Sequence, residues 1–207
     1  MENTFADYRF LYNKKELAYT RKFDGGQQDF YFLINENSGG VYIEPRWSIK
    51  LKSILDVYNK VTLKDKEFRE YTPVLDNSLG QLIEYRDEKN EKGSGNKMQY
   101  LVEDEADIET LKKVIPLRFS EYVLPYFNMN STVARVDELL NSHPQELVIH
   151  QWLNPTRMIM GIIAATLNHN PRLNDLLRVY GEKMNKVNQY YRTEFENLLL
   201  LLRIGKS

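Results

Sequence analysis

Apolar and polar positions alternate along the first fifty residues, and this pattern predicts β-strands joined by short turns. Asp24-Gly25-Gly26 indicates a hairpin, because glycine adopts a positive φ without steric cost. The run at residues 30–34 is apolar at every position, which predicts a central strand covered on both faces. Further along, Pro45 cannot donate to a ladder, so it indicates an edge position or a bulge. The predicted strands are residues 8–12, 17–23, 30–34 and 41–51.

The apolar spacing becomes helical at residues 50–61, which predicts the first helix. Residues 71–75 and 79–85 are predicted to be extended. The charged stretch 86–97 has no apolar side chain to bury, so we expect a mobile loop there. Residues 98–102 are expected to return as the hairpin partner of the segment before this loop.

Capping residues and prolines mark the helices of the second half of the chain. Asp104 is expected to cap a helix that Pro116 kinks or ends. The segment 124–127, Leu-Pro-Tyr-Phe, is expected to end the helical stretch that follows. The remaining expected helix starts are Asn130 or Ser131, Asn154-Pro155 and Asn170-Pro171.

The last predicted helix, from Pro171 to Ile204, is the longest. Its apolar residues recur every three or four positions and form a nearly continuous seam. Five consecutive leucines at residues 198–202 surround the helix, so one contact face cannot cover them all. This end either inserts within the chain or meets a second copy. We favour insertion, because domains usually bury their most apolar segment internally.

Together these elements predict an α+β fold: an antiparallel β meander packed on helices, followed by a carboxy-terminal helical subdomain. The expected division is an α+β domain over residues 1–141 and a helical extension over residues 142–207. We expect the extension to pack on the domain as part of one structural unit.

Composition and charge exclude several functional classes. The 207 residues include 28 Lys and Arg against 29 Asp and Glu, and this near-neutral balance argues against a nucleic-acid or anionic-membrane partner. There is no cysteine, hence no disulfide, thiolate zinc site or cysteine nucleophile. The amino terminus lacks the basic start and apolar run of a secretory signal, and residues 158–167 are too short for a bilayer span. A cytoplasmic location is therefore expected.

Catalytic and metal-binding motifs are missing from the sequence. His143, His150 and His169 do not have the i, i+4 spacing at which two imidazoles share one metal on a helix. The glycine pairs lead into strands, whereas phosphate-binding loops open into helices. We therefore predict no catalytic residue, no metal and no cofactor.

Aromatic residues are the unusual feature of the composition, with 14 Tyr, 9 Phe and 2 Trp. Tyr42, Arg46 and Trp47 lie close together on the fourth predicted strand, and Tyr42 and Arg46 would project from one face. Because Tyr and Arg are enriched at binding hot spots, these three are the candidate binding residues. The alternative is that the tyrosine rings cover the sheet beneath the helices.

Residues 5–141 resemble an uncharacterised bacterial family of domains of unknown function. The resemblance rests on Thr20-Arg21-Lys22, Phe30-Tyr31-Phe32-Leu33-Ile34 and Val41-Tyr42-Ile43 in the strands, and on Leu124-Pro125-Tyr126-Phe127 before a short helix at residues 131–141. It implies an α+β fold and carries over no catalytic residues. Some small α+β proteins of this general kind are immunity proteins that neutralise bacterial toxins, which is an analogy of fold.

The sequence therefore favours a non-enzymatic cytoplasmic protein-interaction domain with a toxin-immunity-like role, whose partner is another protein. The alternatives are an enzyme whose active site is not visible as a motif, and a structural homo-oligomer built through the last helix. A monomer is favoured, with a homodimer through that helix as the other arrangement.

Overall fold

A computed structural model of the chain describes residues 2–69 and 71–202 and has an α+β architecture, as predicted. Within these residues six strands form one sheet of order β1-β2-β3-β4-β5, and β6 pairs with β4 off this path. The strands are β1 Leu11–Asn13, β2 Ala18–Phe23, β3 Gly26–Asn37, β4 Gly40–Leu51, β5 Leu75–Ser78 and β6 Tyr100–Val102. The helices are α1 Glu2–Asp7, α2 Lys52–Tyr58, α3 Lys66–Arg69, α4 Leu79–Asp87, α5 Glu105–Arg118, α6 Leu124–Asn130, α7 Val133–Asn141, α8 Asn154–Leu167, α9 Leu173–Met184 and α10 Gln189–Leu201.

The chain divides into two compact units. The first comprises Met1–Ile49 and Asp76–Asn130, and the second comprises Lys50–Leu75 and Ser131–Ser207. This division differs from the predicted boundary after residue 141, because the second unit takes in residues 50–75 from the middle of the sequence. Helix α2 lies in that stretch and packs against α8, as does α7. Segments far apart in sequence therefore share one helical core.

The hairpins of the first unit follow the predicted turns. Strands β2 and β3 pair antiparallel with Phe23 opposite Gly26, and Gly25 has a φ of 85°, which suits glycine. The predicted first strand at residues 8–12 is only partly a strand, because α1 occupies the start of the chain and β1 begins at Leu11. Arg9 has a φ of 65° and redirects the chain after α1.

Strand β3 is central in the sheet, but the prediction that residues 30–34 are covered on both faces is wrong. Phe30 is buried, whereas Leu33 and Ile34 are exposed. The pairing with β2 ends at Tyr31, so the second half of β3 extends beyond its neighbour. Pro45 lies in β4, which is not an edge strand, and the pairing with β6 ends two residues before it at Ile43.

Aromatic rings form the core of the first unit. Phe119 lies 4.6 Å from Phe5, 5.0 Å from Phe10 and 5.2 Å from Phe30, measured between ring centroids. All four side chains are buried. These edge-to-face and tilted contacts add to the stabilisation that burial of the rings provides.

Residues 79–85 form helix α4 and not the predicted extended segment. Ser78 caps this helix, since its side chain accepts a hydrogen bond from the backbone N–H of Gln81. The Leu79 and Leu82 side chains of this helix are buried. The predicted hairpin is therefore wrong as well: β6 pairs with β4, with Val41 opposite Val102.

The charged stretch 86–97 makes specific hydrogen bonds in place of apolar contacts. The Ser94 hydroxyl donates to the Glu84 carboxylate at 2.7 Å, and the Ser78 hydroxyl donates to the Asn96 carbonyl at 2.9 Å. Gln81 Nε2 donates to the same carbonyl at 3.1 Å. Composition alone could not reveal these contacts, because their partners lie outside the loop, on α4 and at its capping residue Ser78.

Asp104 caps α5 as predicted, accepting from the backbone N–H groups of Ala106 and Asp107. The helix continues past Pro116 and joins α6 through a π-helical segment, Phe119–Val123. The segment 124–127 begins α6, so the prediction that it ends a helix is wrong. Pro125 cannot donate to the Glu121 carbonyl four residues earlier, and Arg86 Nη1 donates to that carbonyl instead, at 2.5 Å.

The predicted long last helix is two helices, α9 and α10, separated by residues 185–188. Asn188 caps α10, accepting from the Tyr191 N–H at 3.3 Å. Leu198 is buried, whereas Leu200 is 70% exposed, so only part of the leucine run lies in the core. The predicted end at Ile204 lies outside the described residues.

The remaining predicted helix starts are close to those of the structure. Helix α7 is capped by Thr132, whose hydroxyl accepts from the Arg135 N–H at 3.3 Å, and not by Asn130 or Ser131. Helix α8 begins at Asn154 with proline in its first turn, but no side chain caps it. Within the described part of the chain, no helix combines the length and apolarity that crossing a membrane would require.

Candidate functional site

The three candidate binding residues from the sequence occupy different environments in the first unit. Trp47 is 0% exposed, its Nε1 donates to the Ser78 carbonyl at 3.1 Å, and its ring packs against Tyr126. Tyr42 is half-buried near the start of β4. Arg46 is mostly buried and forms ion pairs. Trp47 therefore contributes to the core and offers no surface to a partner.

Arg46 belongs to a buried polar network. Its Nη1 pairs with Glu44 at 2.8 Å and its Nη2 with Asp76 at 3.2 Å. Its Nε donates to the Tyr31 hydroxyl at 3.2 Å, and that hydroxyl donates to Asp76 at 2.8 Å. Burial raises the pKa of Tyr31, and the Asp76 carboxylate raises it further. All three guanidinium nitrogens have acceptors. Because Tyr31 lies in β3, Arg46 in β4 and Asp76 in β5, the network joins these three strands.

A cavity of about 540 Å³ lies within the second unit, and we refer to it as the aromatic cavity. Two of its aromatic side chains are largely exposed: Trp152 at 62% and Phe68 at 56%. A volume in the range of about 300–1,000 Å³ with mostly apolar walls is typical of ligand sites. The lining consists of Leu63, Lys64, Asp65, Phe68, Tyr71, Thr72, Pro73, Gln151, Trp152, Leu153, Thr156 and Tyr190.

Arg69 holds the wall formed by residues 63–65, 68 and 71–73. Its Nε donates to the Lys64 carbonyl at 2.8 Å, and its Nη1 donates to the Asn59 carbonyl at 2.9 Å. Opposite, Gln151 Nε2 donates to the Val74 carbonyl at 3.3 Å. Because these bonds tie loop backbone to side chains, the cavity is preformed.

Glu194 anchors the start of the same wall. Its carboxylate is 0% exposed and accepts from the Thr62 hydroxyl at 2.5 Å and the Leu63 N–H at 2.8 Å. The Tyr58 hydroxyl lies 3.4 Å away as a third donor. Burial and, to a smaller extent, the Glu194 carboxylate raise the pKa of Tyr190 to about 12.

Lys64 is the cation of the aromatic cavity. Its Nζ donates to the Thr72 hydroxyl at 3.0 Å and lies 6.0 Å from the centre of the Tyr58 ring. Burial lowers the pKa of Lys64, and the Glu194 carboxylate partly opposes that shift. Thr156, also in the lining, is only 2% exposed, and its hydroxyl has no hydrogen-bond partner among the residues that the structure describes.

The three histidines occupy different environments in the second unit. His150 is buried, and burial together with Arg157 lowers its pKa to about 3. The carbonyl of His143 accepts from Arg157, and His169 lies in the turn after α8 with a φ of 52°. Over residues 2–69 and 71–202, no group of three or more His, Asp or Glu could hold a metal ion.

Sequence reasoning missed the aromatic cavity entirely. Its lining comes from parts of the chain that are far apart in sequence: residues 63–65, 68 and 71–73, residues 151–153 and 156, and residue 190. One signal was available: Glu194 falls on the apolar face that Tyr191, Phe195 and Leu198 define in α10. An ionisable residue on such a face is expensive to bury and indicates a specific partner.

Comparisons of the chain with protein-family models, with curated proteins and with solved structures found no match. The predicted resemblance to a bacterial family therefore stays a prediction.

Proposed function

We propose that this chain is a non-enzymatic protein-binding domain, and that the aromatic cavity holds a segment of a partner protein. The observation that carries the proposal is the exposure of Trp152 and Phe68 around a preformed cavity. Exposed aromatic side chains gathered at one place are typical of interaction sites rather than of an ordinary surface.

Rigid aromatic side chains support this role energetically. Tryptophan and tyrosine bury a large area while losing little side-chain entropy, so they dominate binding energies at interfaces. Tyr71 and Tyr190 are also exposed in the lining. The hydrogen bonds of Arg69 and Glu194 hold the backbone at Lys64 and Leu63, beside these rings, which lowers the entropy that this wall would lose on binding.

A cytoplasmic setting, a bacterial origin and a toxin-immunity role stay predictions within this proposal. An enzymatic activity also stays an open alternative to which no residue is assigned. Homo-oligomerisation through α10 has one specific observation in its favour, the exposure of Leu200 and Leu201 near the end of that helix.

Site-specific photocrosslinking tests the proposal. Benzoylphenylalanine placed at Phe68 is expected to form a discrete adduct with one other protein in cells of the native host. The same group placed at Leu117, an exposed residue of the first unit, serves as the control and should give no such adduct. Adducts that are absent, or equal at both positions, would contradict the proposal. An adduct of two identical chains would also contradict the proposal, because it would show that this surface binds a second copy of the chain and not a different protein.

A further inference from the structure

Lys64 has unused hydrogen-bonding capacity inside the aromatic cavity. An ammonium group has three donors, and the described contacts of its Nζ use one, on the Thr72 hydroxyl. No ion pair joins Lys64 to a carboxylate among the residues that the structure describes. The side chain is half-buried, so water solvates it less well than it solvates an exposed lysine.

The neighbouring carboxylates do not neutralise Lys64 by direct contact. Glu194 is fully buried, and its oxygens accept from Thr62, Leu63 and Tyr58. Asp65 belongs to the lining but is exposed, where water and salt screen its charge. The Lys64 ammonium group can therefore donate to an anionic acceptor that a ligand brings into the cavity.

The rest of the cavity lining indicates the chemistry of the other part of the ligand, next to its anionic group. Trp152, Phe68 and Leu63 present exposed apolar surface, which favours an aromatic or aliphatic body. The combination of one cation with an apolar wall matches a ligand that carries a single anionic group beside a large apolar group.

We infer that the aromatic cavity selects a partner segment in which a carboxylate lies next to a large apolar side chain, with Lys64 receiving the carboxylate. This inference rests on the proposed function, because it concerns the same cavity. The apolar side chain packs against Trp152 and Phe68. The carboxylate accepts hydrogen bonds from the Lys64 ammonium group.

Two fluorescent probes of nearly the same shape separate the two parts of this inference. Anilinonaphthalene sulfonate carries an anion on an aromatic body, and phenylnaphthylamine is the same ring system without the sulfonate. The affinity of each probe is measured by fluorescence titration of the folded chain. Lys64→Met should weaken binding of the sulfonate probe by about tenfold and binding of the neutral probe by less than about twofold. Trp152→Ala should weaken both probes.

Lys66→Met is the matched control, since Lys66 is exposed on α3 and does not line the cavity. Thermal unfolding of every variant confirms that the probes report on folded protein. If Lys64→Met weakens both probes equally or neither, the anion inference is wrong while the cavity still binds. If Trp152→Ala weakens neither probe, the cavity is not the binding surface, and the proposed function fails with the inference.

Discussion

The guanidinium group of Arg157 lies buried against the backbone carbonyl of Leu140, with Nη2 donating at 2.7 Å and Nε at 3.0 Å. The same side chain donates to the carbonyls of His143 and Glu146. Leu140 is in the last turn of α7, where helix carbonyls lack intrahelical partners. A single cation from α8 thus satisfies the end of α7 and the turn that follows it, and the negative end of the helix dipole favours its charge.

Replacing this cation should be among the more damaging substitutions in the second unit. Arg157→Met removes the four hydrogen bonds of a buried cation to backbone carbonyls, so we expect a loss of about 2–4 kcal/mol in the free energy of unfolding, measured by urea titration. Arg178→Met is the control, because the Arg178 side chain is 64% exposed and pairs with Glu182 at the surface. It should cost less than about 0.5 kcal/mol. Similar losses in both variants would contradict this account.

His150 should make the stability of the fold depend on pH. Its pKa in the folded protein, about 3, lies below the ordinary value of 6.5, so the unfolded chain binds the proton more tightly. Burying the neutral imidazole therefore leaves the free energy of unfolding undiminished above pH 6.5. As pH falls from 6.5 towards 3, the free energy of unfolding decreases by at most about 1.4 kcal/mol per pH unit.

The measurement for His150 is its imidazole resonance followed by NMR titration. That resonance should not shift between pH 8 and pH 5, and His150→Gln should flatten the dependence of unfolding free energy on pH over the same window. A titration midpoint near 6.5 would contradict the buried, neutral state of the side chain.

Two buried threonines of the second unit should respond in opposite ways to loss of their hydroxyl groups. Within the described part of the chain the Thr156 hydroxyl has no partner, so Thr156→Val should leave stability unchanged or raise it by up to about 1 kcal/mol. Thr62 donates to buried Glu194, so Thr62→Val should cost about 1–3 kcal/mol. Thermal and urea unfolding of both variants measure the difference. A loss at Thr156 as large as that at Thr62 would show that its hydroxyl has a partner.

Two helical glycines offer a second matched pair. A Cβ at Gly80 would lie 2.7 Å from the Asn96 carbonyl oxygen and 2.9 Å from the Met98 nitrogen, both backbone atoms. Gly80→Ala should therefore destabilise the chain, although alanine favours helices. A Cβ at Gly181 meets nothing within 4 Å, so Gly181→Ala should stabilise by about 0.5–1 kcal/mol. Stabilisation at Gly80 would contradict the close approach of residues 96–98.

The leucines at the end of α10 should differ sharply from one another. Leu198 is buried, so Leu198→Ala should cost about 2–5 kcal/mol through the cavity it leaves. Leu200 is exposed, and Leu200→Ala should change stability little. Sedimentation should give the same mass for both variants and the wild type. If the wild type is a dimer and Leu200→Asp yields a folded monomer, the exposed leucines form an interface between copies.

Local signals in the sequence predicted the features that depend on a few neighbouring residues. The hairpin at Gly25 and the cap at Asp104 both formed as expected, because a positive φ or a capping hydrogen bond involves atoms within about three residues. The α+β class also followed from the change of apolar period after residue 50.

Contacts between distant residues decided the rest. Residues 79–85 form a helix whose Leu79 and Leu82 side chains are buried in the core, and that burial depends on segments far away in the sequence. One wall of the aromatic cavity is held at Leu63 by Glu194, which lies far along the chain. Propensity and periodicity describe how one segment folds by itself, whereas these features depend on which segments meet. The sequence by itself thus determined the elements with local causes, and the tertiary structure alone decided where the candidate binding residues lie.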